Sequence, residues 1–192
     1  MDIKTEKKII AKHIEQIVDG KAEFSRYNDN NNLSYIHIMT INDAPESGVN
    51  TYSTIGLCEY NIGLQIEKKP LRVELIIAID NNQERVADIL ATCAFCIINS
   101  HYKCMPGVIF NDVISYYIED SDMKHVLFVQ PFLWEDSYCG LTLNDKTIEW
   151  LLAVPISEGE YKYAEKYGSD ALEELFEKYN IDIFNLYRES VI

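Results

Sequence analysis

The chain has 192 residues, 47% of them hydrophobic and 25% charged, a composition typical of a packed globular protein and, at this length, of one domain over residues 1–192. Thirty-one acidic against seventeen basic residues give a net charge of −14, which disfavours binding to nucleic acid or to an anionic membrane. A local basic patch could overcome this repulsion, but the basic runs, such as Lys7-Lys8 and Lys68-Lys69, are only two residues long. Five cysteines, an odd number, argue against a disulfide scaffold and predict a cytoplasmic protein.

The first predicted element is an amphipathic helix over residues 4–18. Its apolar stripe recurs at helical spacing and consists of Ile10, Ile14, Ile17 and Val18. Because charged residues interrupt this stripe, the segment has the pattern of neither a signal peptide nor a membrane span, and Asp19-Gly20 ends it. The asparagine-rich stretch NDNNN, residues 28–32, is typical of an exposed loop.

Three strands and a helix are predicted next. Residues 35–41 alternate and are rich in β-branched side chains, and residues 51–57 are similar except that Gly56 breaks the pattern. Residues 71–79 begin as an alternation and become continuously apolar, as expected of a central strand. A strong helical pattern follows over residues 83–100.

The second half of the chain predicts two further strands, at 126–133 and 148–156, and two helices, at 157–167 and 169–179. An extended tail over residues 183–191 is expected to close the chain. Strands and helices are mixed without strict alternation. We therefore predict an α+β protein in which the helices pack on one sheet.

Two glutamates one residue apart lie where the last predicted strand meets the next helix. Ser157 and Glu160 have the Ser-x-x-Glu spacing of a capping box, and Glu158 occupies the first helical position, where negative charge favours the helix dipole. The two carboxylates should point about 200° apart around the helix and so face no common cleft. We interpret them as helix caps and not as a catalytic pair.

A C-x-x-C motif, formed by Cys93 and Cys96, is followed closely by His101 and Cys104. Four such ligands are compatible with a zinc site. Both cysteines of the motif nevertheless follow the rhythm of one apolar helical face, where a free cysteine behaves as a small hydrophobe. A redox motif would begin a helix and not lie within one. The sequence thus predicts buried thiols here, with no metal and no other cofactor.

Cys58 and Cys139 are the cysteines in loop settings, where a thiol could act as a nucleophile. The sequence fixes no histidine beside either of them, and it lacks the G-x-S-x-G, H-E-x-x-H and phosphate-loop motifs. We predict that the protein is not an enzyme. A cysteine-dependent hydrolase remains the lesser alternative.

Two clusters combine aromatic and acidic side chains, which together suit a partner rich in arginine and lysine. These candidate partner-binding residues are Tyr116, Tyr117, Glu119, Asp120 and Asp122 and, after a predicted strand, Trp134, Glu135, Asp136 and Tyr138. The alternative is that the acids are turn residues and the rings cover the edge of the core.

Five stretches resemble one known family in their order and spacing. They are Thr54-Ile55-Gly56-Leu57-Cys58, Val73-Glu74-Leu75-Ile76, the predicted helix at 85–99 followed by His101 and a Pro-Gly turn, residues 154–160, and residues 182–190 with Arg188. The family is the suppressor-of-fused-like domain, and the chain is most similar to its short bacterial antitoxin or immunity proteins (the YqcF-type antitoxins). The resemblance is strongest over residues 50–192. Cys58 stands where the family usually has serine.

The resemblance implies one domain with a mixed, mostly antiparallel sheet and helices packed on it, in which Glu74 and Arg188 pair with each other. It also implies a binding protein. Bacterial members are thought to neutralise a cognate toxin, often a nuclease domain at the end of a secreted LXG-type protein. A nuclease must be basic to hold nucleic acid, so a chain of charge −14 matches it electrostatically.

A regulatory module is the alternative function, since eukaryotic relatives bind a segment of a transcription factor. Such a module would sequester an endogenous protein, for example by adding a peptide strand to the edge of its sheet. Backbone pairing and apolar pockets would then carry the affinity, so its binding should survive high salt.

Overall fold

The computed structural model describes residues 2–134 and 140–192. Its helices are α1 (Ile3–Val18), α2 (Val86–Ser100), α3 (Glu158–Tyr167) and α4 (Ser169–Tyr179). Its strands are β1 (Ala22–Asn28), β2 (Tyr35–Ile41), β3 (Val49–Ile55), β4 (Gln65–Ile66), β5 (Lys69–Asp80), β6 (Ile109–Phe110), β7 (Met123–Val129), β8 (Leu141–Thr142) and β9 (Thr147–Ser157). Cys139 and the candidate residues Glu135, Asp136 and Tyr138 lie outside the described residues. Within them, no helix has the length and apolarity that crossing a membrane requires.

The described strands form one sheet in the order β1-β2-β3-β5-β9-β7-β6, while β4 pairs with β5 and β8 pairs with β9. The central strands β5 and β9 run parallel, with Leu75 opposite Leu151. The remaining pairs are antiparallel. The predicted α+β class, with a mixed and mostly antiparallel sheet, is confirmed.

Helices cover both faces of the sheet. On β5, the side chains of Leu75 and Ile77 join the core under α2, whereas Ile76 and Ala78 point to the other face and join the core under α1, α3 and α4. All four side chains are buried. The strand is continuously apolar because helices cover both of its faces, so that neither face needs polar side chains. This is the central position that the sequence predicted.

Strand β1 was not among the predicted elements. Its sequence, AEFSRYN, is largely polar, and most of its side chains are exposed because the strand lies at the end of the sheet order and pairs with β2. An edge strand that buries little of either face has no apolar periodicity to detect. The predicted asparagine-rich loop is the connection from β1 to β2.

Three predicted segments end differently in the structure. The strand predicted at 51–57 stops at Ile55, because Gly56 adopts a φ of 105° and a 3-10 turn, Leu57–Glu59, follows it. The strand predicted at 126–133 is β7, which stops before Pro131, a residue with no N–H for the strand ladder. The predicted extended tail at 183–191 is wrong, since this segment contains turns and no strand.

The capping box at Ser157 is confirmed. The Ser157 hydroxyl accepts a hydrogen bond from the Glu160 amide at 3.1 Å, and Glu160 Oε2 accepts one from the Ser157 amide at 2.9 Å. Glu158 points elsewhere and accepts hydrogen bonds from His125 Nε2 and Lys162 Nζ, each at 2.9 Å. The two glutamates thus face different partners, as the helical geometry predicted.

The same Glu160 also fastens the C-terminal tail. Arg188 Nη1 and Nη2 donate to the two oxygens of its buried carboxylate at 2.7 Å each, and the Val191 amide donates to Oε1 at 3.1 Å. Bidentate geometry of this kind gives the strongest arginine–carboxylate pairs. The tail is therefore anchored by side chains, which explains why it needs no strand pairing.

Glu74 does not pair with Arg188, so that prediction is wrong. The Glu74 carboxylate is fully buried and accepts hydrogen bonds from the amides of Gly56, Leu57 and Cys58, and from the Thr54 hydroxyl at 2.6 Å. Three adjacent backbone N–H groups converge on one carboxylate because the 3-10 turn begins there. Glu74 thereby fixes the turn after β3 to the central strand β5.

Candidate functional site

Cys58, the candidate nucleophile, lies in the interior. Its side chain is fully buried, and its Sγ donates to Glu6 Oε1 at 3.6 Å. Burial, and then the nearby Glu74 carboxylate, raise the pKa of the Cys58 thiol far above its usual range. A thiol that holds its proton and meets no solvent is unsuited to nucleophilic attack.

The thiols of the C-x-x-C motif belong to α2. Cys93 is fully buried on the side of the helix that faces the sheet, and Cys96 is partly buried. Burial is the main cause that raises the pKa of both thiols and of Cys104. His101 is exposed and ends the helix in a left-handed conformation, with a φ of 55°. Across residues 2–134 and 140–192, no three histidine, cysteine or acidic side chains are placed to hold a metal ion.

A groove of about 680 Å³ runs along the exposed side of α2, between the β1–β2 hairpin and the segment that precedes β7. Four aromatic rings line it, those of Tyr27, Phe95, Tyr116 and Tyr117. Tyr116 and Tyr117 are two of the predicted partner-binding residues. We call this feature the α2 groove. Concave sites with aromatic walls and a few polar groups are the usual form of a binding site.

Tyr117 is fixed in the α2 groove from two sides. Its hydroxyl makes a 2.7 Å hydrogen bond with Thr92 Oγ1, and the Arg85 guanidinium lies 5.0 Å from the centre of its ring. The Tyr116 ring packs edge-on against Tyr117, with 5.1 Å between centroids, and its side chain is 77% exposed. A large ring held in place but open to solvent resembles the aromatic anchors of protein interfaces.

The opposite wall of the α2 groove is the asparagine-rich hairpin loop, which α2 holds in place. Asn99 Nδ2 donates to Asp29 Oδ2 at 3.1 Å, and the Ser34 hydroxyl donates to Asn99 Oδ1 at 2.6 Å. Asp29 also accepts from the Leu33 amide within the loop, at 2.8 Å. The loop that the sequence indicated only as exposed is thus tied to a helix distant in the chain.

The predicted acids lie immediately beyond Tyr116 and Tyr117. Glu119, Asp120 and Asp122 are all exposed. Asp120 Oδ1 accepts a hydrogen bond from the hydroxyl of Tyr187 at 3.1 Å, and Tyr187 is 48% exposed. Burial, and then the Asp120 carboxylate, raise the pKa of the Tyr187 hydroxyl. We call Tyr116, Tyr117, Glu119, Asp120, Asp122 and Tyr187 the aromatic–acidic surface.

Tyr187 was not predicted as a site residue. It is 67 positions from Asp120, and no local pattern connects two residues so far apart. The available signal was its position within the stretch 182–190, which carried part of the family resemblance.

Trp134, by contrast, does not contribute an exposed ring. It is only 7% exposed and belongs to the core cluster on the α1, α3 and α4 face, opposite the α2 groove. The first predicted cluster therefore forms one surface, and the second has its tryptophan inside the protein. A tryptophan after a strand suits both environments, because it combines a large apolar ring with one polar group.

Comparison with known proteins places the fold in a family. The model of the family described as Suppressor of fused protein (SUFU) matches residues 30–189. The chain belongs to the suppressor of fused family. The resemblance in the sequence is strongest from residue 50, whereas the match begins at residue 30 and so also includes β2 and the second part of the asparagine-rich loop.

Within the suppressor of fused family, a curated relative is similar over its whole length. The chain is 45% identical to Immunity protein YqcF of Bacillus subtilis (strain 168), over 192 residues that cover 100% of both proteins. The predicted resemblance to the suppressor of fused family and its immunity-protein branch is confirmed by these two matches.

Solved structures of suppressor of fused proteins share the fold. A SUFU homolog from Neisseria gonorrhoeae superposes with a TM-score of 0.75 at 14% identity, covering 98% of this chain and 97% of that one. A Sufu–Fu complex gives 0.67 at 13% identity, with 97% and 92% covered. Suppressor of Fused from Drosophila gives 0.64 at 14% identity, with 95% of this chain and 50% of that chain covered.

Proposed function

We propose that this protein is an immunity protein that binds and neutralises a cognate toxin. The observation that carries the proposal is the 45% identity, over the full length of both chains, to a protein named as an immunity protein. The residues that carried the family resemblance support this indirectly. Glu74, Glu160 and Arg188 are committed to holding the fold, which leaves the exposed surface for recognition.

We further propose that the toxin is the basic nuclease domain of a secreted LXG-type protein. A net charge of −14 would attract a domain that carries arginine and lysine to hold nucleic acid, and it would accelerate the encounter. Bound in this way, the immunity protein blocks the active site of the nuclease or a surface next to it.

The aromatic–acidic surface is the proposed contact. Tyr116 offers an exposed ring that packs against Tyr117, and the exposed acids Glu119, Asp120 and Asp122 follow it closely in the chain. Interfaces of this kind combine one or two aromatic anchors with a charged rim that sets the rate of association. Tyr187 widens the surface and orients Asp120.

Co-expression tests the function. The carboxy-terminal domain of the protein encoded beside this chain is expressed with and without the chain, and surviving cells are counted. Rescue together with co-purification is the expected result. Toxicity that this chain does not relieve would contradict the pairing and favour sequestration of an endogenous protein.

Charge reversal tests the surface. In a triple variant with Glu119→Lys, Asp120→Lys and Asp122→Lys, we expect slower association and a smaller dependence of the rate on salt. The matched control reverses the exposed acids Glu67, Glu174 and Glu177, which changes the net charge equally but lies away from this surface. Equal effects in the two triple variants would show that only the overall charge matters.

A further inference from the structure

A second groove, between α1 and the first strands, is lined by positive charge, whereas the protein as a whole is negatively charged. It has a volume of about 480 Å³, and Lys4, Lys7 and Lys8 form one of its walls, because these positions share one face of the helix. No acidic side chain is among the described residues that line it. In a chain of net charge −14, a wall of three lysines is a marked local exception. We call it the cationic groove.

The floor of the cationic groove is aromatic and open to solvent. Phe24 of β1 is 51% exposed and Tyr35 of β2 is 41% exposed, on the sheet face that α1 covers further along. The Arg26 guanidinium lies 4.1 Å and Lys7 Nζ 5.1 Å from the centre of the Tyr35 ring. Cations are thus concentrated around an exposed aromatic surface.

Two of the three lysines give this groove unused binding capacity. Lys7 is paired with Glu59 at 3.0 Å, but Lys4 and Lys8 make no ion pair within the described chain. Nδ1 of His37, on the floor of the groove, is buried and has no hydrogen-bond partner among the described residues. Because this nitrogen is also closed to solvent, a ligand cannot reach it in this structure, and the charges of Lys4 and Lys8 are the unused binding capacity of the groove.

We propose that the cationic groove binds an acidic peptide segment of a partner protein. Its carboxylates would meet Lys4 and Lys8, and its apolar side chains would cover Phe24 and Tyr35. Charge complementarity selects an acidic partner, and the concave, aromatic floor selects a chain with side chains to insert. An anionic membrane fits less well, because a charged plane would also face the acidic surface around the groove, whereas a peptide segment meets only the groove itself.

This inference does not depend on the proposed toxin contact. The cationic groove opens on the α1 face of the sheet, whereas the α2 groove, with Tyr116 and Tyr117, lies on the other face. The two sites also select ligands of opposite charge. A partner of each kind could therefore bind at the same time.

The test uses the full chain labelled with ¹⁵N and a synthetic peptide of glutamate, leucine and phenylalanine residues. We expect its addition to shift the amide signals of Lys4, Lys8, Tyr35 and His37. A second peptide, with glutamine in place of each glutamate, should bind much more weakly. Absence of shifts with either peptide, or equal binding of the two, would overturn the proposal.

Variants locate the site. A double variant with Lys4→Glu and Lys8→Glu should weaken binding of the acidic peptide by about tenfold or more, since two attractions become repulsions. The control reverses Lys166 and Lys178, which are exposed on α3 and α4. Phosphatidylserine vesicles are tested in parallel. If the protein binds vesicles through Lys4 and Lys8 but not the peptide, the groove is a membrane contact and the proposal fails.

Discussion

Glu74 and Glu160 are both fully buried, yet the protein accommodates them in different ways. Glu160 meets a guanidinium, since Arg188 contacts both of its oxygens at 2.7 Å. Among the described residues, the donors that Glu74 meets are uncharged and include three backbone amides and one hydroxyl. The comparison teaches that a buried glutamate in a family motif can be held either by a cation or by uncharged donors, and that burial without a cation favours the protonated form.

The largest expected effect comes from removing the cation. Arg188→Met should lower the free energy of unfolding by about 3–5 kcal/mol at neutral pH, because it leaves the Glu160 carboxylate buried without its counter-charge. Equilibrium denaturation with urea measures the change. Lys162→Met is the control, because Lys162 is exposed and pairs with Glu158 at the surface, where solvent screens the attraction and the pair contributes little to stability.

A double variant sharpens this result. Adding Glu160→Gln to Arg188→Met removes the uncompensated charge, so part of the lost stability should return. Glu160→Gln alone is measured as well. If the losses of stability of the two single variants simply add in the double variant, the two residues are not coupled and the ion pair makes no specific contribution.

The second prediction concerns the proton on Glu74. Burial raises the pKa of its carboxyl to about 7, although the Thr54 hydroxyl and the amides of Cys58 and Gly56 act in the opposite direction. An unfolded glutamate loses its proton near pH 4.5. Between about pH 4.5 and 7 the folded state therefore holds an extra proton, and stability must fall as the pH rises through this range.

Glu74→Gln should remove that pH dependence. The glutamine carbonyl can still accept from Gly56 and Cys58, and its amide cannot ionise. In the parent protein, this proton should cost about 3 kcal/mol of unfolding free energy between pH 4.5 and 7, and the variant should not show that loss. Urea denaturation at several pH values measures both proteins. Identical slopes in the two proteins would show that Glu74 is ionised throughout this range.

Local sequence patterns predicted much of this fold, but contacts between residues far apart in the chain could not be predicted. Residues 4–18 have a strong helical periodicity and residues 71–79 end in a continuous apolar run, so α1 and β5 were predicted close to their observed positions. The capping box was predictable because Ser157 and Glu160 are three residues apart. The partner of Glu160 was not, since Arg188 lies 28 residues further on and glutamate–arginine pairs have no sequence signature.

The candidate site shows the same limit. Tyr116 and the neighbouring acids were predicted because they adjoin in the chain, whereas Tyr187 joins them only through the fold. The cationic groove could not be predicted either, because its residues meet only in the folded protein. In the sequence, Lys7 and Lys8 are only an adjacent pair. On the helix, Lys4 lies on the same face as this pair, and the sheet places Arg26 against the same Tyr35 ring as Lys7.

The smallest expected effect is at the capping box, where the helix cap and the tail anchor can be separated. Ser157→Ala removes the acceptor of the Glu160 amide and should cost about 1 kcal/mol of unfolding free energy. The Ser157 hydroxyl also makes a 2.7 Å hydrogen bond with the hydroxyl of Ser190 in the tail. The loss could therefore come from either contact.

Ser190→Ala distinguishes the two contacts, because it removes the bond to the tail and leaves the cap intact. We expect this variant to lose less stability than Ser157→Ala, and Ser157→Thr to retain most of it, since threonine keeps the capping hydroxyl. Equal losses in Ser157→Ala and Ser190→Ala would mean that Ser157 acts mainly by holding the tail. Glu160 would then owe its position to Arg188 more than to the helix cap, and the contrast with Glu74 would rest on the ion pair alone.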